Sequence, residues 1–143
     1  MARRASWTWL VPLSLALAGL LWAGFAPIEL PTREWLFEIP KGTFARRMAG
    51  DRVEILPSRI RLTLGVQDVL LVRNLDEVPQ TFGPSIMMPG QSLRLPFEVE
   101  SENQFVCTAH ASGQLTVVVE PEPVWPWQKI RWRARDWWER SKA

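Results

Sequence analysis

A chain of 143 residues that is 47% hydrophobic and 22% charged, with 8 Gly and 12 Pro, has the composition of one folded domain with additions, and of neither a disordered nor a repetitive protein. One Cys and one His exclude an internal disulfide, a multi-cysteine zinc or iron–sulfur centre, and any site that needs two imidazoles from one chain. The net charge of +2 conceals three unlike blocks: three basic and two acidic residues in 1–35, eight and eleven in 36–122, six and two in 123–143.

The first block carries no charge between Arg4 and Glu29, an uncharged run of 24 residues from 5 to 28. About 20 apolar residues in a helix cross the hydrocarbon of a bilayer, so this run is expected to be a membrane anchor over 1–28. Trp7 and Trp9 mark one boundary and Trp22 approaches the other. Arg3 and Arg4 favour a cytoplasmic N-terminus, which puts the rest of a single-pass chain on the extracytoplasmic, periplasmic side of the cell membrane. The rival reading is a cleaved signal peptide with Gly24 and Ala26 at the cut, which the following Pro27 and the length of the run disfavour. All nine Trp lie outside residues 36–122, a partition expected of chain ends that meet a membrane–water interface.

From about residue 35 the apolar pattern has period two. Ile60, Leu62 and Leu64 alternate with polar neighbours, as do Leu93, Leu95, Phe97 and Val99, then Leu115, Val117 and Val119. Val69 to Val72 reads as a strand buried on both sides. Turn signals at Pro57-Ser58, Asn74 with Asp76, Pro79, Gly83-Pro84, Pro89-Gly90 and Ser112-Gly113 separate these runs. Some seven short strands within residues 29–122 predict an all-β domain, an antiparallel sandwich, with Lys41 to Arg52 as a loop or a single helical turn.

Taken in order, the residues L-P-S-R-I-R-L-T-L-G from Leu56, the turn N-L-D at Asn74, the turn P-G-Q-S from Pro89 and C-T-A-H from Cys107, followed by Gly113 and a closing strand, resemble the cupredoxin family over about residues 35–120. The resemblance implies a Greek-key β-sandwich and, in members that hold blue copper, a His after the N-x-D turn, the Cys and His of the C-x-x-H loop, and a weak axial Met. Thiolate and imidazole suit a trigonal copper site whose potential a weak axial ligand tunes.

Carried over residue by residue, the resemblance places Cys107 and His110 at the C-x-x-H pair, and Gln80 where the upstream imidazole belongs. Between His110 and Gly113 stand only Ala111 and Ser112, so the axial Met is missing from its usual place. Met87 or Met88 would supply a soft thioether and Gln114 an amide oxygen. An incomplete donor set favours a domain without a bound cofactor, copper being the alternative, and the competing account of Cys107 is a small buried apolar residue.

Other chemistry is poorly supported. Ser112 beside His110 lacks an evident acid partner for a triad. Glu98, Glu100 and Glu102 are expected on one face of a strand, as a solvated face or a cation-binding one. Arg46, Arg47 and Arg52 read as a solvated loop or as a dock for an acidic partner. No residue set points to an enzyme.

A stiff run of Pro121, Pro123 and Pro126 leads into the last block, 123–143. An amphipathic helix is predicted after this run, with Trp127, Ile130, Ala134, Trp137 and Trp138 on one side, Lys129, Arg131, Arg133, Arg135, Arg140 and Lys142 mostly on the others, and Trp132 off the stripe. A basic helix with a Trp-rich face is expected to lie in the membrane interface, and no nucleic acid is expected on that side of a membrane. The alternative is packing on the domain or on another subunit. The expected function is therefore an accessory subunit of an electron-transfer or copper-handling membrane complex, with the lipid bilayer and integral-membrane subunits as partners. The alternative is a copper-binding electron carrier or Cu(I) donor that uses Cys107 and His110.

Overall fold

The computed structural model describes residues 10–51 and 57–141. The chain divides into two compact units, residues 30–122 and residues 1–29 with 123–143.

Among the described residues the larger unit contains eight strands. β1 (Glu34–Ile39), β3 (Val69–Asn74) and β6 (Ser92–Pro96) form one sheet in the order β1-β3-β6, and β2 (Arg59–Thr63), β8 (Gln114–Glu120) and β7 (Ser101–Val106) form another in the order β2-β8-β7. A hairpin joins β4 (Gln80–Phe82) to β5 (Ser85–Met87). The inward residues alternate as the pleat requires: Phe37 and Ile39 on β1, Leu70 and Val72 on β3, Ile60 and Leu62 on β2, and Leu115, Val117 and Val119 on β8 share one core. The domain is thus a two-sheet β-sandwich, as expected.

Three expectations are corrected. The sheets are mixed rather than antiparallel, because β1 runs parallel to β3 and β2 parallel to β8. Period-two alternation reports which face is buried and carries no direction; parallel neighbours need a long crossover, and here the chain passes between the sheets to supply it. Glu98 and Glu100 lie in the connection after β6, and only Glu102 belongs to a strand, so the three do not form one strand face. Val99 lies in that same connection and is exposed.

The stretch that fits no strand contains one short helix, α2 (Thr43–Met48), entered through Gly42 at φ +80°, a left-handed conformation that glycine adopts without steric cost.

The smaller unit holds α1 (Leu10–Phe25) and α3 (Pro126–Arg140). The predicted span began at residue 5, and its first five residues lie outside the described ones. Among the described residues no helix is long and apolar enough to cross a membrane. The 16 residues of α1 rise about 24 Å, against about 30 Å of hydrocarbon. The side chains of Leu10, Leu13, Leu17, Leu20, Leu21 and Phe25 are all exposed. The predicted C-terminal helix is present as α3, with Pro126 at its start and the Gln128 amide oxygen accepting the N–H groups of Val124 and Trp125, each at 3.0 Å.

Candidate functional site at the Cys107–His110 loop

The loop from Cys107 to Gly113 joins β7 to β8 and is closed by its own backbone. The Cys107 N–H donates to the Gly113 carbonyl at 2.9 Å, His110 N–H to the Cys107 carbonyl at 3.2 Å, and Gly113 N–H to the His110 carbonyl at 3.1 Å. Gly113 sits at φ +74°, where any side chain would be strained. This turn draws Cys107 and His110 inward, to 0% and 3% exposure. Burial pushes the Cys107 thiol up, against the opposing pull of the Ala109 and His110 N–H groups and the charge of Arg47. The His110 Nδ1 lies 2.9 Å from the Ser112 hydroxyl, which donates onward to the Gln114 carbonyl at 3.0 Å.

The facing wall is the N-x-D turn after β3. Asn74, wholly buried, donates through Nδ2 to the carbonyls of Val78 and Met87 at 2.9 and 3.0 Å, while its Oδ1 accepts the Asp76 N–H at 2.9 Å. Asp76 accepts four hydrogen bonds: from the N–H groups of Gly42 and Phe44 at 2.8 Å, from Glu77 N–H at 2.9 Å and from Gln80 Nε2 at 2.9 Å. Burial pushes the Asp76 carboxyl upward, and these donors outweigh it, so the group lies below its ordinary value.

Gln80, 1% exposed, links the two walls. Its Nε2 is committed to Asp76, and its Oε1 accepts the Thr108 hydroxyl at 2.6 Å. That hydroxyl also accepts the Thr81 N–H at 2.9 Å, so its single proton points at Gln80. The backbone supports the same approach, through the Phe82–Cys107 bridge and the Thr108 N–H donating to the Thr81 carbonyl at 3.2 Å.

The helix α2 ties both walls together. Its entry donates to Asp76, and Arg47 donates through Nε and Nη2 to the Ala109 carbonyl at 3.3 and 3.1 Å, with Nη1 on the Asp51 carbonyl at 3.0 Å. Arg47 is thus a structural contact of the C-x-x-H loop rather than part of a solvated cluster; Arg52 lies outside the described residues.

The sequence-predicted donors fall into two groups. Cys107, His110, Gln80 and Met87 come to this end of the sandwich, Met87 buried in the same core cluster as Cys107 and paired in register with Gln80. Met88 and Gln114 are exposed, Met88 holding its loop by donating its N–H to Gln91 Oε1 at 2.8 Å. Sequence reasoning gave no site role to Thr108, read Asp76 only as a turn residue and Arg47 only as a surface cation, yet together with Gln80 these three join the walls. The N-x-D spacing was the only signal, and it pointed to Asp76 alone.

A blue-copper donor set does not fit these residues. At the position that the resemblance assigns to an imidazole stands a carboxamide whose nitrogen and oxygen are both engaged by protein. Among the described residues no group of three or more His, Cys, Asp or Glu side chains is placed to hold a metal ion.

No known protein-family profile matches the chain, and no curated protein matches it. Among solved structures the chain is similar to a purple cupredoxin from Nitrosopumilus maritimus, at 16% identity over 59% of this chain and 98% of the other, with a TM-score of 0.42. It is also similar to amicyanin from Paracoccus versutus, at 13% identity over 68% of this chain and 88% of the other (TM-score 0.38), and to a Cu(I) amicyanin mutant, at 14% identity over 64% and 86% (TM-score 0.43).

Proposed function

We propose that this chain is a membrane-tethered, extracytoplasmic cupredoxin-like domain that serves as an accessory subunit of an electron-transfer or copper-handling membrane complex, with the Cys107–His110 end closed by protein hydrogen bonds rather than by copper. The observation that carries this reading is the Gln80 amide, donating to Asp76 and accepting from Thr108 where a copper-binding relative would present an imidazole. A carboxamide oxygen is a hard donor and a poor match for copper beside a thiolate.

The order of parts supports the cupredoxin-like reading: the N-x-D turn follows β3, P-G-Q-S leads into β6, and C-x-x-H sits between β7 and β8. The tether is supported by α1, apolar along its length and exposed from Leu10 to Trp22, since such a helix is stable only in apolar surroundings. It is supported also by the uncharged run of 24 residues behind Arg3 and Arg4. A domain whose Cys107–His110 end is closed by its own hydrogen bonds would contribute shape and contacts, which is the basis for the subunit role.

Copper titration of the full chain in detergent tests the reading, followed by visible absorption and metal analysis. The expected result is no stoichiometric copper and no intense thiolate charge-transfer band. One bound copper per chain with such a band, lost in Cys107→Ser, would instead establish the electron carrier or Cu(I) donor. Purification from native membranes with the integral subunits still attached tests the accessory role.

A further inference from the structure

The smaller unit contains an arrangement that tethering alone does not require. Arg133 of α3 donates to three carbonyls at the C-terminal end of α1: Ala23, Ala26 at 3.0 Å and Pro27 at 2.9 Å. The Ala23 carbonyl is one of the last-turn acceptors that a helix end leaves without partners inside the helix, and those of Ala26 and Pro27 follow directly after it. A guanidinium there also opposes the negative end of the helix dipole. The same guanidinium stacks over the Trp22 ring, 5.4 Å from its centroid. Gly24 lets the helices approach: a Cβ at that position would stand 3.1 Å from Pro126 Cβ and 3.6 Å from Ile130 Cδ1.

These contacts use the side of α3 that carries Pro126, Ile130 and Arg133. At 100° per residue, Trp127, Arg131 and Trp138 fall together on a different side. Trp127 and Trp138 are each 55% exposed, and the Arg131 guanidinium lies over the Trp127 ring at 5.9 Å. Residues 123–143 carry six basic and two acidic groups, and one of the acids, Asp136, is already paired with Arg140 at 3.0 Å.

We propose that Arg133 locks α3 onto the last turn of α1 as a collar, whose Trp127–Arg131–Trp138 face takes an anionic phospholipid surface. The proposal rests on the tethered reading and adds to it a lipid specificity. The chemistry selects the occupant: indoles settle where apolar surface meets water, and guanidinium groups between them pair with phosphate oxygens. Basic residues near an anionic leaflet gain from its negative surface potential, whereas a neutral leaflet offers them little.

The test uses the full chain reconstituted in vesicles of phosphatidylcholine, with or without phosphatidylglycerol, whose acyl chains are brominated close to the headgroup to quench nearby tryptophan. We expect stronger quenching when phosphatidylglycerol is present, with that increment lost in Trp127→Phe/Trp138→Phe. In Arg131→Gln/Arg135→Gln, which keeps every Trp, the increment should also be lost. Circular dichroism shows whether each variant keeps its helix. Equal quenching in both lipids, or an increment that survives the charge variant, would overturn the collar and leave α3 as a surface for an acidic protein. Alkaline carbonate extraction of the same vesicles separates the two claims. A chain that washes off has no tether, and one that stays without lipid dependence has a tether and no collar.

Discussion

Thr108 donates its hydroxyl to Gln80 at 2.6 Å across 28 residues of sequence, and through that bond the C-x-x-H loop is fastened to the turn after β3. Because Gln80 passes the link on to Asp76 and the Asp76 carboxylate receives the entry of α2, three segments of chain are joined through this amide–carboxylate pair. This end of the sandwich is thus held by amide, hydroxyl and backbone groups around the Asp76 carboxylate.

That chain of bonds makes Gln80 and Thr108 energetically coupled. Gln80→Ala leaves Asp76 short of a donor and the Thr108 hydroxyl short of an acceptor, both in buried surroundings, at an expected cost of about 2–3 kcal/mol. Thr108→Val should cost about 1–2 kcal/mol. Neighbours that share a hydrogen bond do not add independently, so the double mutant should fall short of the sum by about 1 kcal/mol. Urea unfolding of the four proteins measures it, and strict additivity would show that the 2.6 Å contact contributes nothing.

The carboxylates set the acid limit of the fold. Asp76 is pushed up by burial and pulled further down by its four donors; Asp68 is likewise pushed up by burial and pulled further down by Arg33 and the Gly65 N–H, so both lie below the ordinary 3.8. A carboxyl depressed on folding contributes stability that is present in full above its ordinary value and is lost as pH falls through the folded value. Stability should therefore be flat from pH 7 to about 5 and decline below about 4. Asp76→Asn places an amide where four donors converge, so the variant should lose about 2–4 kcal/mol at pH 7 and less at pH 3. Denaturation midpoints at the two pH values decide it, and an equal loss at both would remove Asp76 from the acid response.

Much of the sandwich could be read from sequence because alternation is local. Ile60 with Leu62, and Leu115 with Val117 and Val119, point inward as their spacing requires. Val99 escaped that rule because the chain has already left β6 after Pro96, and alternation persists in a segment with no strand to pair with. Strand direction was invisible, since β1 with β3 and β2 with β8 look the same in either sense. The site was half legible. Cys107, His110 and Gln80 could be named from their motif order, whereas the role of Gln80 depends on a partner 28 residues away that no local pattern announces. On α3 the apolar stripe was read from residues alone. The side used against α1 runs through Pro126, Ile130 and Arg133 because the partner supplies a glycine and bare carbonyls, which favour a small contact and a cation.

A raised, buried thiol should be chemically silent. Cys107 is wholly buried, so in the native state its labelling by a disulfide reagent at pH 7.5 should be slower than that of an unfolded control by about a thousandfold, the range set by rare opening of a stable core. Labelling should rise in step with unfolding as urea is added. Rapid native labelling would mean an accessible thiolate and would favour the metal-binding alternative.

Gly24 decides whether α1 and α3 pair. Valine there brings a branched side chain into Pro126 and Ile130, an overpacking cost of about 1–3 kcal/mol confined to the helix pair. The opening of α3 should then be favoured by about tenfold, with trypsin cleavage after Arg133 accelerating in proportion. Alanine is the milder case: its Cβ meets Pro126 at 3.1 Å, a contact that a small shift relieves, while about 1 kcal/mol of helix propensity is gained, so cleavage should change little. Arg133→Ala removes the cleavage site and bares the α1 carbonyls, so hydrogen exchange takes the place of proteolysis for that variant, with faster exchange expected along α3. If Gly24→Val leaves the cleavage rate where it was, the close approach at Gly24 contributes nothing to pairing, and Arg133 alone must hold the helices together.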